Sequence, residues 1–271
     1  MSNVIYYFTG TGNSLAFARK ITKELGDTKL LNIRHNQNEL DATQYERVGI
    51  IFPVYYYKMP AFVESFIRKL TLSPKQYIFG VATYGGMRGI SLVDLRELLQ
   101  EKGCSLKGEF SVFMPGNYIV EYGAFPDFFN NLLVSKAEKT AKRISNIIKM
   151  KQPSKPAGPR TFEKLYLSRS GSKQFIIEKR TGFGNMDSGF NSDTNCNGCR
   201  ACEKVCPVNN VSIENGHPVW EHRCEQCMAC IQWCSRKSIH YLDKTQKRKF
   251  YHHRDISIKD ILSLEEFIKH L

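Results

Sequence analysis

Apolar runs and helix-type periodicities alternate through the first 150 residues of this 271-residue chain. Continuous apolar runs are typical of strands buried on both faces, and a shorter run indicates a strand near a sheet edge. The predicted strands are residues 3–8, 29–33 (the edge strand), 48–54, 77–83 and 109–114. The helical patterns cover residues 13–25, 60–70, 92–101 and 127–150. This alternation predicts an α/β domain over residues 1–150, with an open parallel five-stranded sheet and helices on both faces.

The remainder of the chain has a different character. Residues 151–190 are predicted to be a linker or crossover segment, because 151–160 are rich in Pro, Lys and Gly and the rest shows little periodicity. Residues 191–240 hold eight cysteines and form the second predicted domain. The extension over 241–271 carries no motif of its own, and its end, 256–271, predicts an amphipathic helix.

Eight of the nine cysteines fall into two copies of one spacing, Cys-x2-Cys-x2-Cys-x3-Cys. This is the spacing of bacterial chains that carry two [4Fe–4S] clusters. Three thiolates at intervals of three residues line one tight loop and can reach three irons of one cluster. A zinc ribbon would leave the third and fourth cysteines of each run over, and a disulfide framework suits a short secreted chain. The two copies are Cys196, Cys199, Cys202 and Cys206, then Cys224, Cys227, Cys230 and Cys234.

The fourth cysteine of each run is expected to serve the other cluster, because it lies one turn into the following helix and points across. The predicted ligands are Cys196, Cys199, Cys202 and Cys234 for cluster I, and Cys224, Cys227, Cys230 and Cys206 for cluster II. Proline follows the first run, whereas Ser235 follows the second, which changes a turn but no ligand. The ninth cysteine, Cys104, is predicted to be a buried structural thiol.

The first predicted strand runs directly into a short polar loop, Thr9-Gly10-Thr11-Gly12-Asn13-Ser14, that opens the first helix. Hydroxyls and backbone N–H groups at a helix N-terminus favour an anion, so the loop predicts a phosphate cradle. It lacks the Gly-Lys-Ser/Thr of nucleotide triphosphatases, and Leu15 stands where a dinucleotide fingerprint has its third glycine. Neutral donors without a lysine or arginine suit a single phosphate.

The loop resembles the flavodoxin phosphate signature, Thr/Ser-x-Thr-Gly-x-Ser/Thr, at Thr9, Thr11, Gly12 and Ser14. Together with the cysteine runs, the chain is similar to a fused flavodoxin–ferredoxin protein over about residues 1–150 and 190–240. The resemblance implies a flavodoxin-like doubly wound sheet that binds FMN, and a small α+β ferredoxin-like domain that holds two [4Fe–4S] clusters. In that fold the flavin lies at the carboxyl ends of the strands, between the first and third.

Three loops at that end of the sheet are the implied walls of the flavin site. Tyrosines can stack on the flavin ring, and glycines let backbone amides approach its polar edge. The alternative for the three adjacent tyrosines is ordinary core and surface contact. The candidate residues are Pro53, Val54, Tyr55, Tyr56 and Tyr57 after the third strand, Thr83, Tyr84, Gly85 and Gly86 after the fourth, and Asn117 and Tyr118 after the fifth.

The formal net charge is +13, and the excess is regional. Residues 136–181 carry 13 Lys or Arg against three Glu, whereas residues 191–240 are balanced. Two interpretations stand for this basic region: a solvated helix face and linker, or a docking surface for an acidic redox partner. His252 and His253 lie beside basic residues and are assigned surface or core roles rather than metal ligation.

The expected location is the cytoplasm. No apolar run approaches the length of a membrane span, so no membrane association is expected. Thiolate clusters, a free thiol and a strand where a signal peptide would stand predict a reducing cytoplasm, that of an anaerobe.

Two clusters and one flavin on a single chain imply electron transfer between them, because clusters move single electrons and flavins store one or two. Two function classes stay open: a carrier that exchanges electrons with a redox partner protein, and an FMN-dependent reductase of a small organic substrate fed by the clusters. They differ in the space above the flavin, which the sequence does not show. A redox sensor that binds nucleic acid is disfavoured, because no nucleic-acid motif accompanies the charge.

Overall fold

The computed structural model describes residues 3–169 and 184–262. The strands of the first part are β1 (Asn3–Tyr7), β2 (Thr28–Asn32), β3 (Arg47–Pro53), β4 (Tyr77–Tyr84) and β5 (Leu106–Phe113). The helices are α1 (Asn13–Leu25), α2 (Ala61–Lys69), α3 (Ser91–Glu101) and α4 (Asp127–Lys149). Every strand and helix predicted before residue 150 is present, with ends shifted by at most about three residues, the usual scatter of element boundaries. In the described part of the chain, no helix is both long and apolar enough to cross a membrane.

All five strands run parallel in one sheet of order β2-β1-β3-β4-β5, the order of flavodoxin-like folds. Tyr7 stands opposite Ile51, and Pro53 opposite Thr83, so β1, β3 and β4 end at the same edge of the sheet. β4 is buried along its whole length, whereas β2 at the sheet edge buries one residue of five, which explains its weaker apolar run. On the sheet faces, α1 contacts α4, and α2 contacts α3.

Residues 151–160, predicted to be a linker, lie against the outer edge strand β5. The Ser154 backbone N–H donates to the Lys107 carbonyl (2.9 Å), and the Ala157 N–H donates to the carboxylate of Glu109 in β5 (2.7 Å). Glu109 is buried and accepts two hydrogen bonds from Arg96, at 2.7 and 2.6 Å. This buried ion pair on a strand therefore fixes the segment that follows α4.

A fifth helix, α5 (Thr161–Arg169), occupies part of the segment in which we predicted little regular structure. Three of its large apolar residues, Phe162, Leu165 and Tyr166, are exposed and only Leu167 is buried, so no apolar stripe facing a core marks the helix in the sequence. Residues 170–183 of the predicted crossover segment lie outside the described residues.

The described residues form two compact units, the first with residues 3–9, 13–115 and 127–169, and the second with 10–12, 116–126 and 184–262. In the second unit, β6 (Phe190–Ser192) pairs antiparallel with β9 (Ile239–Tyr241), and β7 (Val211–Glu214) pairs antiparallel with β8 (His217–Trp220). The end of the predicted C-terminal helix, residues 263–271, lies outside the described residues. The elements are a 3₁₀ turn (Gly184–Asp187), β6 (Phe190–Ser192), α6 (Ala201–Val205), β7 (Val211–Glu214), β8 (His217–Trp220), α7 (Ala229–Gln232), β9 (Ile239–Tyr241) and α8 (Ile258–Ile261).

The doubled cysteine spacing is also a doubled backbone conformation. Each cysteine run has left-handed residues at the same three places. The first directly precedes the second cysteine, the second directly precedes the short helix that contains the third cysteine, and the third lies three residues after the fourth cysteine. Left-handed residues turn the chain sharply, which allows successive side chains to face a common side. The equivalent pairs, with φ between 50° and 67°, are Gly198 and Gln226, Arg200 and Met228, and Asn209 and Lys237.

Candidate functional site

The predicted phosphate loop leaves the carboxyl end of β1 and leads into α1, and its hydroxyl residues are buried. Thr9, Thr11 and Ser14 are each at most 9% exposed. The hydroxyls of Ser14 and Thr83 form a hydrogen bond of 2.9 Å, which joins the start of α1 to the end of β4. The first turn of α1 contains no carboxylate that would repel an anion at this helix N-terminus.

The middle of this loop, Gly10–Gly12, belongs to the second unit and is held there through its carbonyls. The indole Nε1 of Trp233 donates to the Gly10 carbonyl at 2.8 Å, in a buried hydrogen bond. The backbone N–H of His253 donates to the Thr11 carbonyl at 2.9 Å. Neither contact was predicted, because no local pattern links residues more than 200 positions apart.

Asn117, a predicted wall residue, contacts the same loop. Its Nδ2 donates to the Thr11 hydroxyl at 3.0 Å, while its neighbour Tyr118 is in contact with the hydrophobic core of the second unit. Gly12 has φ of +96°, and a Cβ at this position would lie 2.9 Å from the Cβ of Ile256, so both conformation and space require glycine.

The predicted tyrosine wall is a tight turn after β3. Tyr55 and Lys58 exchange two backbone hydrogen bonds (3.1 and 2.9 Å), and both residues between them are left-handed: Tyr56 at φ 47° and Tyr57 at φ 68°. Such turns favour Gly, Asn or Asp, so two bulky residues here indicate strain, which concentrates at ligand-binding sites. Gly89 supports the turn, since a Cβ there would lie 2.1 Å from the Tyr57 carbonyl oxygen.

The other predicted wall residues divide between the core and the surface. Tyr55 and Tyr84 are buried, and their rings contact Phe8 (6.2 Å) and Phe113 (5.5 Å) respectively. Pro53 is the last residue of β3, and the backbone N–H of Val54 donates to the Thr83 carbonyl. Gly85 is half-buried, and Gly86 is exposed with open space where a Cβ would stand. In the turn after β3, Tyr56 and Tyr57 are thus the half-buried aromatic residues.

Helix α5 supplies contacts to these loops that the sequence interpretation missed. Arg160 Nη2 donates to the Tyr84 hydroxyl at 3.2 Å, and the Tyr166 ring lies edge-on to Tyr57 at 6.1 Å. Glu163 is fully buried and accepts from the backbone N–H groups of Arg88 (3.3 Å) and Arg160 (2.9 Å). The available sequence signal was Glu163 itself, four residues after Pro159, because a glutamate near the start of a segment is typical of a helix N-terminus.

The cysteine residues are brought together in the crossed combination. One cavity of the second unit is lined by three cysteines of the first run and the fourth of the second. Its wall also contains Gly198, Ile213 and Arg236. The cysteines lining it are Cys196, Cys199, Cys202 and Cys234.

The remaining four cysteines interact with one another. Burial raises the pKa of Cys224 to about 12 and that of Cys227 and Cys230 well above the usual thiol range, and the negative charge of neighbouring thiolates, Cys206 among them, adds to each shift. Burial likewise raises the pKa of Cys202 to about 12, with added contributions from Cys199 and Cys234. A thiolate in these positions therefore needs a compensating cation, such as iron.

Backbone donors point at the thiols of the second group. The Asn210 N–H lies 3.1 Å from Cys206 Sγ, and the Gln226 N–H lies 3.2 Å from Cys224 Sγ. Hydrogen bonds to sulfur raise the reduction potential of thiolate-bound clusters.

In residues 3–169 and 184–262, no three His, Cys, Asp or Glu side chains converge on a site for a single metal ion. A four-iron cube takes one thiolate per iron, so its ligands surround a cavity rather than a point.

A buried carboxylate supports the start of the second run. Asp187 is 1% exposed and accepts from Asn210 Nδ2 (2.8 Å), His222 N–H (2.9 Å) and His222 Nδ1 (2.7 Å). It thus fixes the turn two residues before Cys224. No sequence signal marked Asp187, which stands in the segment without periodicity.

The other candidates take the roles predicted for them. Cys104 is buried between α3 and β5, and its burial raises its pKa. The His252 ring stacks on Trp233 at 4.6 Å, and His253 is buried, with its Nδ1 accepting from the Asp255 N–H.

The sheet order and the loop after β1 define a flavodoxin-like α/β domain. A model of the flavodoxin domain matches residues 4–143, and the chain therefore belongs to this family. No curated protein matches it.

Several solved structures are similar to the chain. A flavodoxin from the domain Archaea is 20% identical, with a TM-score of 0.42, over 56% of this chain and 98% of that one. The two-electron reduced flavodoxin of Megasphaera elsdenii is 17% identical, with a TM-score of 0.37, over 53% and 98%. A flavoprotein in complex with FMN from Lactobacillus acidophilus is 15% identical, with a TM-score of 0.33, over 41% and 92%.

Proposed function

We propose that this chain is an electron-transfer protein that moves electrons between two [4Fe–4S] clusters and a bound FMN, and to or from a redox partner protein. The observation that carries the proposal is the cavity lined by Cys196, Cys199, Cys202 and Cys234. Two runs 28 residues apart would produce this mixed set only if the fourth cysteines cross over, as chains with two clusters require. When bound, the clusters would pass single electrons, and FMN would take or give one or two.

FMN is supported by membership of the flavodoxin family and by the donors of the phosphate loop. Thr9, Thr11 and Ser14 provide buried hydroxyls, and Asn13 provides a carboxamide, at a helix N-terminus without a carboxylate. Asn117 donates to the Thr11 hydroxyl oxygen, so the hydroxyl hydrogen of Thr11 stays available to a phosphate oxygen. Tyr56 and Tyr57 are the aromatic candidates for the flavin ring.

The partner is proposed to be an acidic redox protein that docks on the basic region, residues 136–181. In the described part of this region, Lys136, Lys139, Lys142 and Arg143 are exposed on α4. Residues 170–181 lie outside the described residues. Charge of this kind steers a partner of opposite sign during encounter.

A reductase of a small organic substrate is the second candidate, and α5 favours it. The contacts of α5 with Tyr57 and Arg88, and of the preceding Arg160 with Tyr84, cover the loops that would surround a flavin. Covered sites suit small substrates, whereas carriers expose the flavin edge. After anaerobic purification, reoxidation of the reduced flavin by protein acceptors alone supports the carrier, and rapid reoxidation by small organic acceptors supports the reductase.

Iron analysis tests the clusters. Anaerobically purified protein should contain about eight irons and eight sulfides per chain. Cys206→Ala should remove the same electron paramagnetic resonance signal that Cys230→Ala removes, and leave the signal that depends on Cys202. Cys104→Ala, a buried thiol outside both groups, should keep both signals. Fewer than four irons, or loss of the Cys202-dependent signal in Cys206→Ala, contradicts the assignment.

Flavin analysis tests the loop. The released cofactor should be FMN, because the loop offers neutral donors for one terminal phosphate. Thr11→Leu should abolish binding by filling the cradle and removing a hydroxyl, while Thr11→Ser should retain binding because it keeps that hydroxyl. Release of FAD, or normal FMN binding by Thr11→Leu, rules out the phosphate-loop assignment.

A further inference from the structure

Two consecutive carbonyls of the phosphate loop are held by the cysteine-rich unit. Trp233 Nε1 binds the Gly10 carbonyl at 2.8 Å, and the His253 N–H binds the Thr11 carbonyl at 2.9 Å. All described peptide bonds are trans. In a trans peptide the carbonyl and the following N–H point in opposite directions, so each contact turns the next N–H, that of Thr11 or of Gly12, away from its own donor. Backbone N–H groups of such a loop contribute to an anion site, and the two contacts therefore fix the orientation of two of them.

Trp233 occupies a special position in the cysteine runs. It immediately precedes Cys234, the only residue of the second run that lines the cavity of Cys196, Cys199 and Cys202. Its side chain is 8% exposed and stacks on His252 with an interplanar angle of 17°. Because Trp233 and Cys234 are adjacent, an iron atom bound by Cys234 would fix the backbone from which the Trp233 indole reaches the loop.

A second route links the loop to the cysteine runs. Asn117 Nδ2 donates to the Thr11 hydroxyl at 3.0 Å and contacts the Cys227 carbonyl at 3.5 Å. The Asn117 carbonyl accepts from Gln232 Nε2 at 2.8 Å, and Gln232 directly precedes Trp233. Both side chains that donate to the loop, Asn117 and Trp233, are therefore positioned by the short segment Gln232–Trp233 that precedes Cys234.

We propose that Trp233 is a positioning residue that makes FMN affinity depend on the cluster ligated by Cys234. The proposal rests on the function proposed above and adds a regulatory coupling to it: the loop is set for phosphate only when this cluster is present. Coupling between two binding events is reciprocal, so bound FMN also retains the cluster by the same factor.

Trp233→Phe tests the coupling in the full-length, cluster-loaded protein. Phenylalanine keeps an aromatic ring beside His252, with less volume, and removes the N–H donor, which leaves the buried Gly10 carbonyl without this hydrogen bond. The dissociation constant for FMN, measured anaerobically by flavin fluorescence, should rise about tenfold, or about 1.4 kcal/mol. Trp220→Phe is the matched control, since the Trp220 indole nitrogen is buried and donates to no atom of the described residues. Iron content should be equal in all three proteins.

The parent protein provides a second measurement that needs no variant. Cluster loss during challenge with an iron chelator should be slower with saturating FMN than without it. Equal dissociation constants in parent, Trp220→Phe and Trp233→Phe, or a chelation rate that FMN does not change, overturn the coupling while FMN binding stands. Absence of FMN binding by the parent protein overturns the proposed function together with the coupling.

Discussion

Each of the two units of this chain is stabilised internally, and by different physical means. In the first, the central strands bury large aliphatic and aromatic side chains completely, including Ile5, Ile50 and Phe79. In the second, strands have three or four residues, and the hydrophobic core includes Cys202, Cys206 and Cys230. Among residues 3–169 and 184–262, eight of the eleven non-glycine residues with positive φ lie in the second unit. An L-residue in this conformation costs about 1 kcal/mol, so the backbone of the second unit carries more of this cost than that of the first.

This difference teaches where each unit obtains its stability. Burial of apolar surface is sufficient for the first, because a five-stranded sheet covered by helices hides whole side chains from water. Small folds with little regular structure are usually stapled by disulfides or metals. We therefore expect the cysteine-rich unit to depend on the clusters proposed for it, and the sheet to be independent of them.

Removal of iron is the strongest test of this comparison. Anaerobic chelation should unfold the second unit, because the buried cysteines would lose the iron of the proposed clusters and the short strands alone bury too little apolar surface to keep the unit folded. Hydrogen exchange should become fast in β7 and β8 and stay slow in β4, whose eight residues are all buried. Loss of protection in β4 at the same rate would show that the sheet depends on the clusters as well.

A cavity in the sheet should produce the converse result. Ile50→Ala removes a fully buried side chain from β3 and should lower the free energy of unfolding of the first unit by about 3 kcal/mol. Iron content should be unchanged. Leu132→Ala, at a position on α4 that is 47% exposed, is the matched control and should be close to neutral. Loss of iron in Ile50→Ala alone would show that the two units share their stability.

The sequence predicts the first unit well because its signals are local. Apolar runs mark β1 and β4 directly, and the loop between β1 and α1 needs only six adjacent residues. The cysteine spacing predicts which residues gather, since ligand geometry constrains a run of eleven residues on its own.

The missed features depend on contacts between distant residues. Helix α5 exposes three of its four large apolar residues and buries only Leu167, so no periodicity reveals it. The hydrogen bond from Trp233 to Gly10 joins residues 223 positions apart, and Asp187 acts only through partners 23 and 35 positions away. Side chains of this kind are ordinary in sequence, and only the folded arrangement distinguishes them.

A methyl group added at Gly89 should test whether the turn of Tyr56 and Tyr57 contributes to FMN binding, separately from the stability of the sheet. In Gly89→Ala, the Cβ meets the Tyr57 carbonyl at 2.1 Å in a left-handed backbone, so the turn must shift. FMN affinity should fall about tenfold, with a loss of about 1 kcal/mol in unfolding free energy. Gly86→Ala, where a Cβ meets nothing, should leave affinity and stability unchanged. Equal FMN affinity in both variants would remove the turn from the flavin site.

Charge reversal on α4 should give the smallest effect, one confined to encounter with a partner. Lys139, Lys142 and Arg143 are exposed on α4, so their replacement by glutamate should leave iron, flavin and stability unchanged. Electron transfer with the physiological partner should slow by about tenfold at low salt, and the defect should shrink as salt screens charges beyond about 8 Å. Lys23, Lys69 and Lys75, exposed elsewhere on the first unit, provide a control with the same change in net charge. An equal defect in the control would assign the effect to net charge, and equal rates in all three proteins would leave the basic region a solvated helix face.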